Sequence, residues 1–329
     1  MNQARTGWRA VAICAACALA AIVLSVAIGA SHIPLSRVLA TLAGGGNGME
    51  RSIVLDLRLP RVLLAALAGG GLAMSGAVFQ AMLRNPLADP YVLGVSGGAA
   101  LGAVLVTVLP VPMLMLPAAA LLGALGAIVL VFTIAVRAAG RMDARVLLLA
   151  GVILSALFQA IILLLLTFAN IESFRSAMFW LMGSFATASW RGVLLLSAYL
   201  LPAVLALLAL ARPLNLIATG EETALYLGVR VETVTRVAYF VASVMVGATV
   251  ASCGAIGFVG LIIPHAVRLV WGSDHRTLLP ASFFLGGGFL VACDTVARTI
   301  TAPAELPVGV VTALVGVPLF ILLLVRRSV

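Results

Sequence analysis

Apolar runs long enough to cross a bilayer recur along the whole chain, separated by short polar stretches. Ten such runs can be drawn, near residues 10–30, 61–83, 91–109, 113–136, 146–168, 192–211, 236–253, 255–271, 278–297 and 308–325. The pattern predicts an all-α polytopic membrane protein with about ten transmembrane helices. Because the runs fill the chain, residues 1–329 are interpreted as a single transmembrane domain.

The seventh and eighth runs are the least regular part of the pattern. Residues 236–271 are too many for one span and few for two, and Gly254 and Gly257 fall where a tight hairpin needs them. The eighth run is therefore predicted to be a short, broken helix. Residues 31–57 and 169–191 are long enough to fold at the membrane surface, and the second segment is predicted to hold a short interfacial helix.

Arginine placement orients these spans. With the N-terminus inside, the inner segments hold Arg5, Arg9, Arg84, Arg137, Arg141, Arg145, Arg212, Arg230, Arg236, Arg268, Arg276, Arg326 and Arg327. The outer segments hold fewer, namely Arg37, Arg51, Arg58, Arg61, Arg175, Arg191 and Arg298. The excess inside follows the positive-inside rule, so both termini are predicted to be cytoplasmic.

Composition narrows the function further. The 329 residues are 63% hydrophobic and 9% charged, with a mean hydropathy of +1.22, which a soluble fold cannot bury. All 20 basic residues are arginine, so the chain lacks the lysine of a Walker A loop. If ATP drives this protein, the ATPase lies on another chain. The net charge of +9 reflects arginine at membrane borders, and no nucleic-acid partner is predicted.

One long polar interruption, residues 212–233, lies on the predicted cytoplasmic side. Its acidic stretch after Gly220 is short and has the composition of a helix. It is too short to be a catalytic domain, so it favours docking of a partner protein, although an ordinary solvated loop remains the alternative.

A second break lies at Asn85-Pro86-Leu87-Ala88-Asp89-Pro90, at the inner ends of the second and third spans. Two prolines prevent a continuous helix there. Irregular backbone at this depth must be covered by protein or must line a cavity. The loop is therefore interpreted either as part of a passage or as a plain turn.

Residues 94–98 match the G-x-S-x-G pattern of serine hydrolases, with Ser96 as the nucleophile. His265 and His275 lie around the inner end of the eighth run, so neither is an obvious base. Close helix packing is the simpler interpretation, through glycines spaced four apart at Gly94, Gly98 and Gly102.

Few ionisable groups fall inside the spans. Asp294 and Arg298 are four apart near the outer end of the ninth run and are predicted to form an ion pair. Glu305 precedes the last run, and no other carboxylate lies deep in a span, which counts against an ion-coupled secondary transporter. Cys14 and Cys17 have ligand spacing but no second pair nearby, so no metal site or bound cofactor is predicted.

Several segments together resemble one family. Residues 58–102 carry Arg-Leu-Pro-Arg and Arg-Asn-Pro-Leu-Ala-Asp-Pro, followed by Phe-Trp-Leu-Met-Gly-Ser at 179–184, the loop at 220–229, Gly-Phe-Val-Gly-Leu-Ile-Ile-Pro-His at 257–265, Asp-His-Arg at 274–276 and Ala-Glu-Leu-Pro-Val-Gly-Val-Val-Thr at 304–312. In this order they are similar to the FecCD family, the permease subunits of type II ATP-binding-cassette importers for iron-siderophores, haem and vitamin B12.

The resemblance implies a role for the cytoplasmic segment and for two other sites. The residues expected to dock on the ATPase are Gly220, Glu221, Glu222, Leu225, Leu227 and Gly228. The residues expected to receive carboxylates of a periplasmic binding protein are Arg58, Arg61 and Arg298, with snorkelling toward lipid headgroups as the alternative. The residues expected near a cytoplasmic gate are Asn85, Pro86 and Leu87.

The resemblance also implies an assembly in a bacterial inner membrane. Two copies of the chain surround a channel, with two ATPase subunits that carry ATP and Mg²⁺ and one periplasmic binding protein. An ion-coupled secondary transporter and an intramembrane serine hydrolase are the alternatives. Which metal chelate is carried stays open, with residues 304–312 leaning toward the vitamin B12 type.

Overall fold

The computed structural model describes residues 2–29, 33–140 and 142–327, and these ranges contain helices and connecting turns but no β-strand. The α-helices, in chain order, are α1 (Asn2–Ala27), α2 (Leu35–Leu42), α3 (Gly48–Arg51), α4 (Leu59–Met82), α5 (Val95–Val108), α6 (Leu116–Ala139), α7 (Ala144–Thr167), α8 (Ile171–Leu181), α9 (Trp190–Ala209), α10 (Ala211–Thr219), α11 (Glu221–Tyr226), α12 (Val231–Cys253), α13 (Val259–Trp271), α14 (His275–Thr299) and α15 (Val308–Arg327). A π-helical stretch, Ser52–Arg58, joins α3 to α4.

The helices account for the predicted spans. Within the described ranges, seven helical segments have the length and apolarity to cross a membrane, and three shorter apolar helices, in α5, α13 and α15, add to them. The sum of ten agrees with the hydropathy count, and the all-helical polytopic class is confirmed. The predicted short eighth helix is α13, which has 13 residues and follows irregular backbone at residues 254–258. The predicted surface helix in 169–191 is α8.

The second span starts earlier than predicted. Its helical path is continuous from Gly48 to Met82, 35 residues, whereas the sequence pattern placed its start near residue 61. Pro60 is typical of a helix start, but the π turns before it widen the helix and accommodate the ring. Arg58 and Arg61 therefore lie inside a continuous helical path and not before or at the start of the predicted run.

Helix α4 is the centre of the molecule. It packs against α9, α12, α13 and α14, and 83% of its most apolar window is buried. The corresponding share is only 28–33% for α1, α6, α7 and α9, whose outer faces carry exposed leucine. Since lipid tails are as apolar as leucine, these outer faces suit direct contact with a bilayer.

Glycine allows the neighbours of α4 to approach closely. A Cβ atom added to Gly76 would overlap the carbonyl oxygen of Gly260 on α13, and one added to Gly69 would overlap the carbonyl oxygen of Gly286 on α14. Gly69 and Gly286 therefore pack directly against each other at the α4–α14 crossing. Small residues at crossings are how membrane helices gain contact area.

Alanine at Gly76 is expected to destabilise the protein by about 1–3 kcal/mol, because the added methyl group overpacks the α4–α13 crossing. Gly126 on α6 is the matched control, since nothing lies within 4 Å of a Cβ added there. Gly126→Ala should be neutral or slightly stabilising, because alanine favours a helix more than glycine does. Thermal unfolding of both detergent-purified variants checks this, and equal midpoints would refute the packing interpretation.

Three breaks in the helices meet at one junction. The Ser184 N–H donates to the Cys253 carbonyl at 2.9 Å, and the Val308 N–H donates to the Gly183 carbonyl at 3.0 Å. Gly183 and Gly254 have positive φ angles of 72° and 75°, which glycine adopts without strain. The ends of α8 and α12 and the start of α15 thus satisfy one another's backbone groups, as non-helical backbone within a membrane protein requires.

The predicted site residues lie at two opposite ends of α14. Helix α14 begins with His275 beside Asn215 of α10 and carries Arg298 in its last turn, beside Ser25 of α1. We call the end that holds α10, α11 and residues 83–94 the coupling end. The opposite end, which holds Arg58, Arg61 and Arg298, is the arginine end.

Candidate functional site

The polar interruption at 212–233 forms the two short helices α10 and α11 at the coupling end. Asn215 fixes α10 to the start of α14: its Nδ2 donates to Asp274 Oδ1 at 2.7 Å, and its Oδ1 accepts from the His275 N–H at 2.8 Å. Gly220 (φ 138°) precedes α11 and Gly228 (φ 83°) follows it. Because other residues rarely adopt these angles, the two glycines allow the chain to turn sharply on both sides of α11.

The tip of α11 is an exposed apolar surface. Ala224 is fully buried and anchors the helix, whereas Leu225, Tyr226 and Leu227 are 58%, 91% and 60% exposed. We call these three residues the apolar tip. A contiguous apolar patch in a polar surround is typical of a protein–protein contact. Tyr226 is the most exposed of the three and was not among the residues that the sequence assigned to docking.

An ion pair connects α11 to the loop of the predicted gate. Arg84, in a left-handed backbone conformation (φ 46°), pairs with Glu221 through its Nη2. The next residue, Asn85, accepts the Leu87 N–H on its Oδ1 at 2.9 Å, which shapes the turn through Pro86. The structure thus brings the coupling and gate residues together, which the sequence pattern treated separately. Their roles in docking and gating stay predictions.

The loop of residues 85–90, which we call the gate loop, is also fixed to α13. Buried Gln80 on α4 donates through its Nε2 to the carbonyls of Ala88 and Gly260, both at 3.2 Å. Its Oε1 accepts from Arg268 Nη2 at 2.5 Å. One side chain therefore joins α4, the gate loop and two turns of α13. Removing it would leave buried backbone groups without their partner.

A second set of bonds ties the gate loop to the break before α13. The Tyr91 hydroxyl accepts from the Ile256 N–H at 2.5 Å, and Asp89 accepts the Tyr91 N–H at 2.8 Å. Burial raises the pKa of Asp89, while hydrogen bonds from the backbone of Tyr91 and Phe258 act in the opposite direction. If the gate loop and the backbone before α13 move relative to each other, the hydrogen bond between Tyr91 and Ile256 must break.

At the arginine end, two of the predicted docking residues hold the end of α1. Arg58 Nη1 donates to the carbonyls of Val26 at 2.9 Å and Ala27 at 3.1 Å. Arg298 Nη2 donates to the Ser25 carbonyl and to its hydroxyl. The last carbonyls of a helix have no partner within the helix, and cations there are favourable. Arg58 and Arg298 are 6% and 7% exposed, which does not fit snorkelling toward lipid.

Arg61 joins two carboxylates. Its Nε lies 3.0–3.1 Å from both oxygens of Asp294, its Nη2 lies 2.8 Å from Asp294 Oδ1, and its Nη1 lies 2.8 Å from Glu305 Oε1. The predicted pair of Asp294 with Arg298 is confirmed as an ion pair at 3.7 Å, too long for a hydrogen bond. The sequence did not indicate that the closest partner of Asp294 is Arg61.

These groups line a cavity of about 330 Å³ that opens at the arginine end. Arg58, Arg61, Arg298 and Glu305 are all part of its wall. The structure therefore collects the three predicted docking arginines at one place, each already bonded within its own chain. Reception of a partner's carboxylates stays a prediction.

The hydrolase pattern lies in a packed helix start. Ser96 is 8% exposed, and in the described part of the chain its Oγ donates to the Tyr91 carbonyl at 3.4 Å and not to a histidine. A Cβ atom added to Gly98 would overlap the carbonyl oxygen of Gly123 on α6. A Cβ atom added to Gly102 would likewise overlap the carbonyl oxygen of Ala119, so close packing is confirmed for Gly98 and Gly102, whereas Gly94 is the residue that precedes α5 and makes no such approach.

Comparison with known proteins identifies the family of this chain. Residues 17–326 match the FecCD transport family. The chain is 48% identical to the cobalamin import system permease protein BtuC of Halobacterium salinarum, over 84% of this chain and 74% of that protein. It is 42% identical to the hemin transport system permease protein HmuU of Yersinia pestis, over 84% of each.

A solved structure has the same architecture. It is described as a metal-chelate type ABC transporter in an inward-facing conformation, and it superposes with a TM-score of 0.87 at 34% identity, over 96% of this chain and 98% of that one. These relatives are transport permeases and not enzymes, and their ATPase is a separate subunit, so neither the hydrolase nor the secondary-transporter alternative is favoured. The chain is a multi-pass membrane permease subunit and belongs to the FecCD transport family.

Proposed function

We propose that two copies of this chain form the channel of an ATP-driven importer of large metal chelates in a bacterial inner membrane. Two ATP-binding-cassette subunits, which carry ATP and Mg²⁺, dock at the coupling end, and a periplasmic binding protein docks at the arginine end. The observation that carries the proposal is the apolar tip of Leu225, Tyr226 and Leu227, whose side chains are largely exposed in the described structure.

The coupling end has the features that transmission of force needs. The apolar tip offers a surface for a groove on the ATPase. Behind it, Arg84 pairs with Glu221, and the loop that begins at Arg84 is fixed to α4 and α13 through Gln80. Motion of α11 would therefore pass to the gate residues Asn85 and Leu87 through a short series of direct bonds.

The passage is proposed to lie between two copies of the chain. Within one copy, α4 packs against α13 and α14 through glycine contacts, which leave no room for a large chelate between these helices. A wall shared by two copies can be wide without opening either core. The chain's own recognition of the ligand is then weak, and the binding protein supplies most of the selectivity.

The substrate class is tested by uptake in a strain that lacks this chain. Labelled cobalamin, a ferric siderophore and haem are supplied in parallel, with the chain restored or absent. Since a cobalamin permease is 48% identical and a haem permease 42% identical, cobalamin is the first ligand to test. Restored uptake of one chelate supports the proposal and names the ligand. Failure of all three, with the binding protein and ATPase present, would contradict the metal-chelate class.

A further inference from the structure

The two carboxylates that share Arg61 differ sharply in exposure. The Asp294 side chain is 1% exposed and lies within α14, whereas the Glu305 side chain is 40% exposed and lies in the connection between α14 and α15. Asp294 takes the Nε and Nη2 donors of Arg61, and Glu305 takes Nη1 with both of its oxygens, at 2.8 and 3.0 Å. Arg61 therefore has one buried partner, Asp294, and one partner that water can reach, Glu305.

The cavity at the arginine end carries an excess of positive charge. Its wall includes three guanidinium groups and a single carboxylate, that of Glu305. The buried Nε of Arg298 is ion-paired with Asp294 Oδ2 at 3.7 Å. The chemistry fits one or more further carboxylates.

We propose that Glu305 is a placeholder, which occupies Arg61 Nη1 until an acidic side chain of the substrate-binding protein replaces it on docking. This inference rests on the proposed function, because it assumes that the binding protein docks at the arginine end. It adds a competitor within the permease itself, and it assigns to Asp294 the role of a positioning residue that holds Arg61 toward the cavity.

An incoming carboxylate can replace Glu305 on Arg61 more easily than it can replace Asp294. Displacing Asp294 would leave a buried charge without a partner, which costs several kcal/mol. Displacing Glu305 moves a side chain that is already 40% exposed into water, where its charge is well solvated. An ion pair whose carboxylate is open to solvent contributes little net stability, so an incoming carboxylate can compete for the same donor. A pair of this strength also allows release of the binding protein after each cycle.

The test compares docking of the substrate-binding protein of this importer to the permease–ATPase complex in nanodiscs. Glu305→Gln keeps the shape of the side chain and removes its charge, so docking should tighten about three- to fivefold. Arg61→Lys keeps a charge for Asp294 but lacks the planar fork, so docking should weaken. The double variant should dock no more tightly than Arg61→Lys alone. Glu50→Gln, at the exposed Arg37–Glu50 pair, is the matched control and should dock as wild type does.

The outcomes distinguish a failure of the placeholder role of Glu305 from a failure of docking at the arginine end. If wild type docks, Arg61→Lys docks more weakly and Glu305→Gln equals wild type, the binding site stands and the placeholder is rejected. If Arg61→Lys docks as wild type does, docking at this end is itself rejected. The measurement is repeated in nanodiscs of purely zwitterionic lipid. An effect of Glu305→Gln that needs anionic lipid would assign the cavity to a lipid headgroup and overturn the inference.

Discussion

Replacing Asp294 with alanine is expected to lower the free energy of unfolding by about 3–5 kcal/mol, because Arg298 then remains buried without a carboxylate and Arg61 keeps only the partly exposed Glu305. Loss of yield and of thermal stability in detergent should show this directly. Asp294→Asn keeps the size of the side chain and one acceptor oxygen, so it should fall between alanine and wild type. The cluster also holds the end of α1 through Arg298, so the loss should extend to protease resistance of α1.

The control for this prediction is a surface ion pair at the same end of the molecule. Arg37 and Glu50 lie 2.5 Å apart and the Arg37 side chain is 63% exposed, so Glu50→Ala should change the thermal midpoint far less than Asp294→Ala does. A midpoint for Asp294→Ala equal to that of Glu50→Ala would contradict the stabilising role of the buried cluster.

The double substitution Leu225→Asp plus Tyr226→Asp is expected to detach the ATPase. Both side chains are exposed, so the fold should remain intact, while two carboxylates replace the anchors of the apolar tip. Loss of one hot-spot residue of about 2 kcal/mol weakens a complex about 30-fold, so the double variant should lose at least that much affinity. Co-purification of the ATPase with the tagged permease and ATP-dependent uptake in cells measure the effect.

The matched control is Glu232→Gln, at the start of α12 and also at the coupling end. It changes a charge but disturbs only an exposed pair with Arg236, outside the apolar tip. This variant should retain the ATPase. An unchanged amount of bound ATPase in the double variant, with a normal elution profile, would argue against α11 as the docking element.

The sequence predicted the course of the chain better than the contacts of its charged residues. Hydropathy indicates spans because each helix must satisfy its backbone within itself and present apolar side chains to lipid. The start of the second span was missed because the charged residues Asp56, Arg58 and Arg61 are a signal for the end of an apolar run. The π turns that carry the helix past Pro60 have no signal of their own in the sequence.

The predicted docking arginines illustrate the limit most clearly. Their position at one end followed from the order of spans, but their burial and partners did not. Arg61 meets Asp294 and Glu305 across 233 and 244 residues of sequence, and Arg84 meets Glu221 across 137. Nothing in local composition indicates which of several carboxylates a given arginine will reach.

By itself, the sequence determined the helical membrane class, the short broken α13, the glycine crossings and the position of the coupling segment. These depend on local hydrophobicity, chain length and side-chain size, all of which are written in short windows. Only the tertiary structure decided that Arg58 and Arg298 cap α1, that Arg61 is shared between two carboxylates, and that the gate loop is bonded to α11 and α13. Those contacts arise where distant helices cross, and the crossing geometry selects the partners.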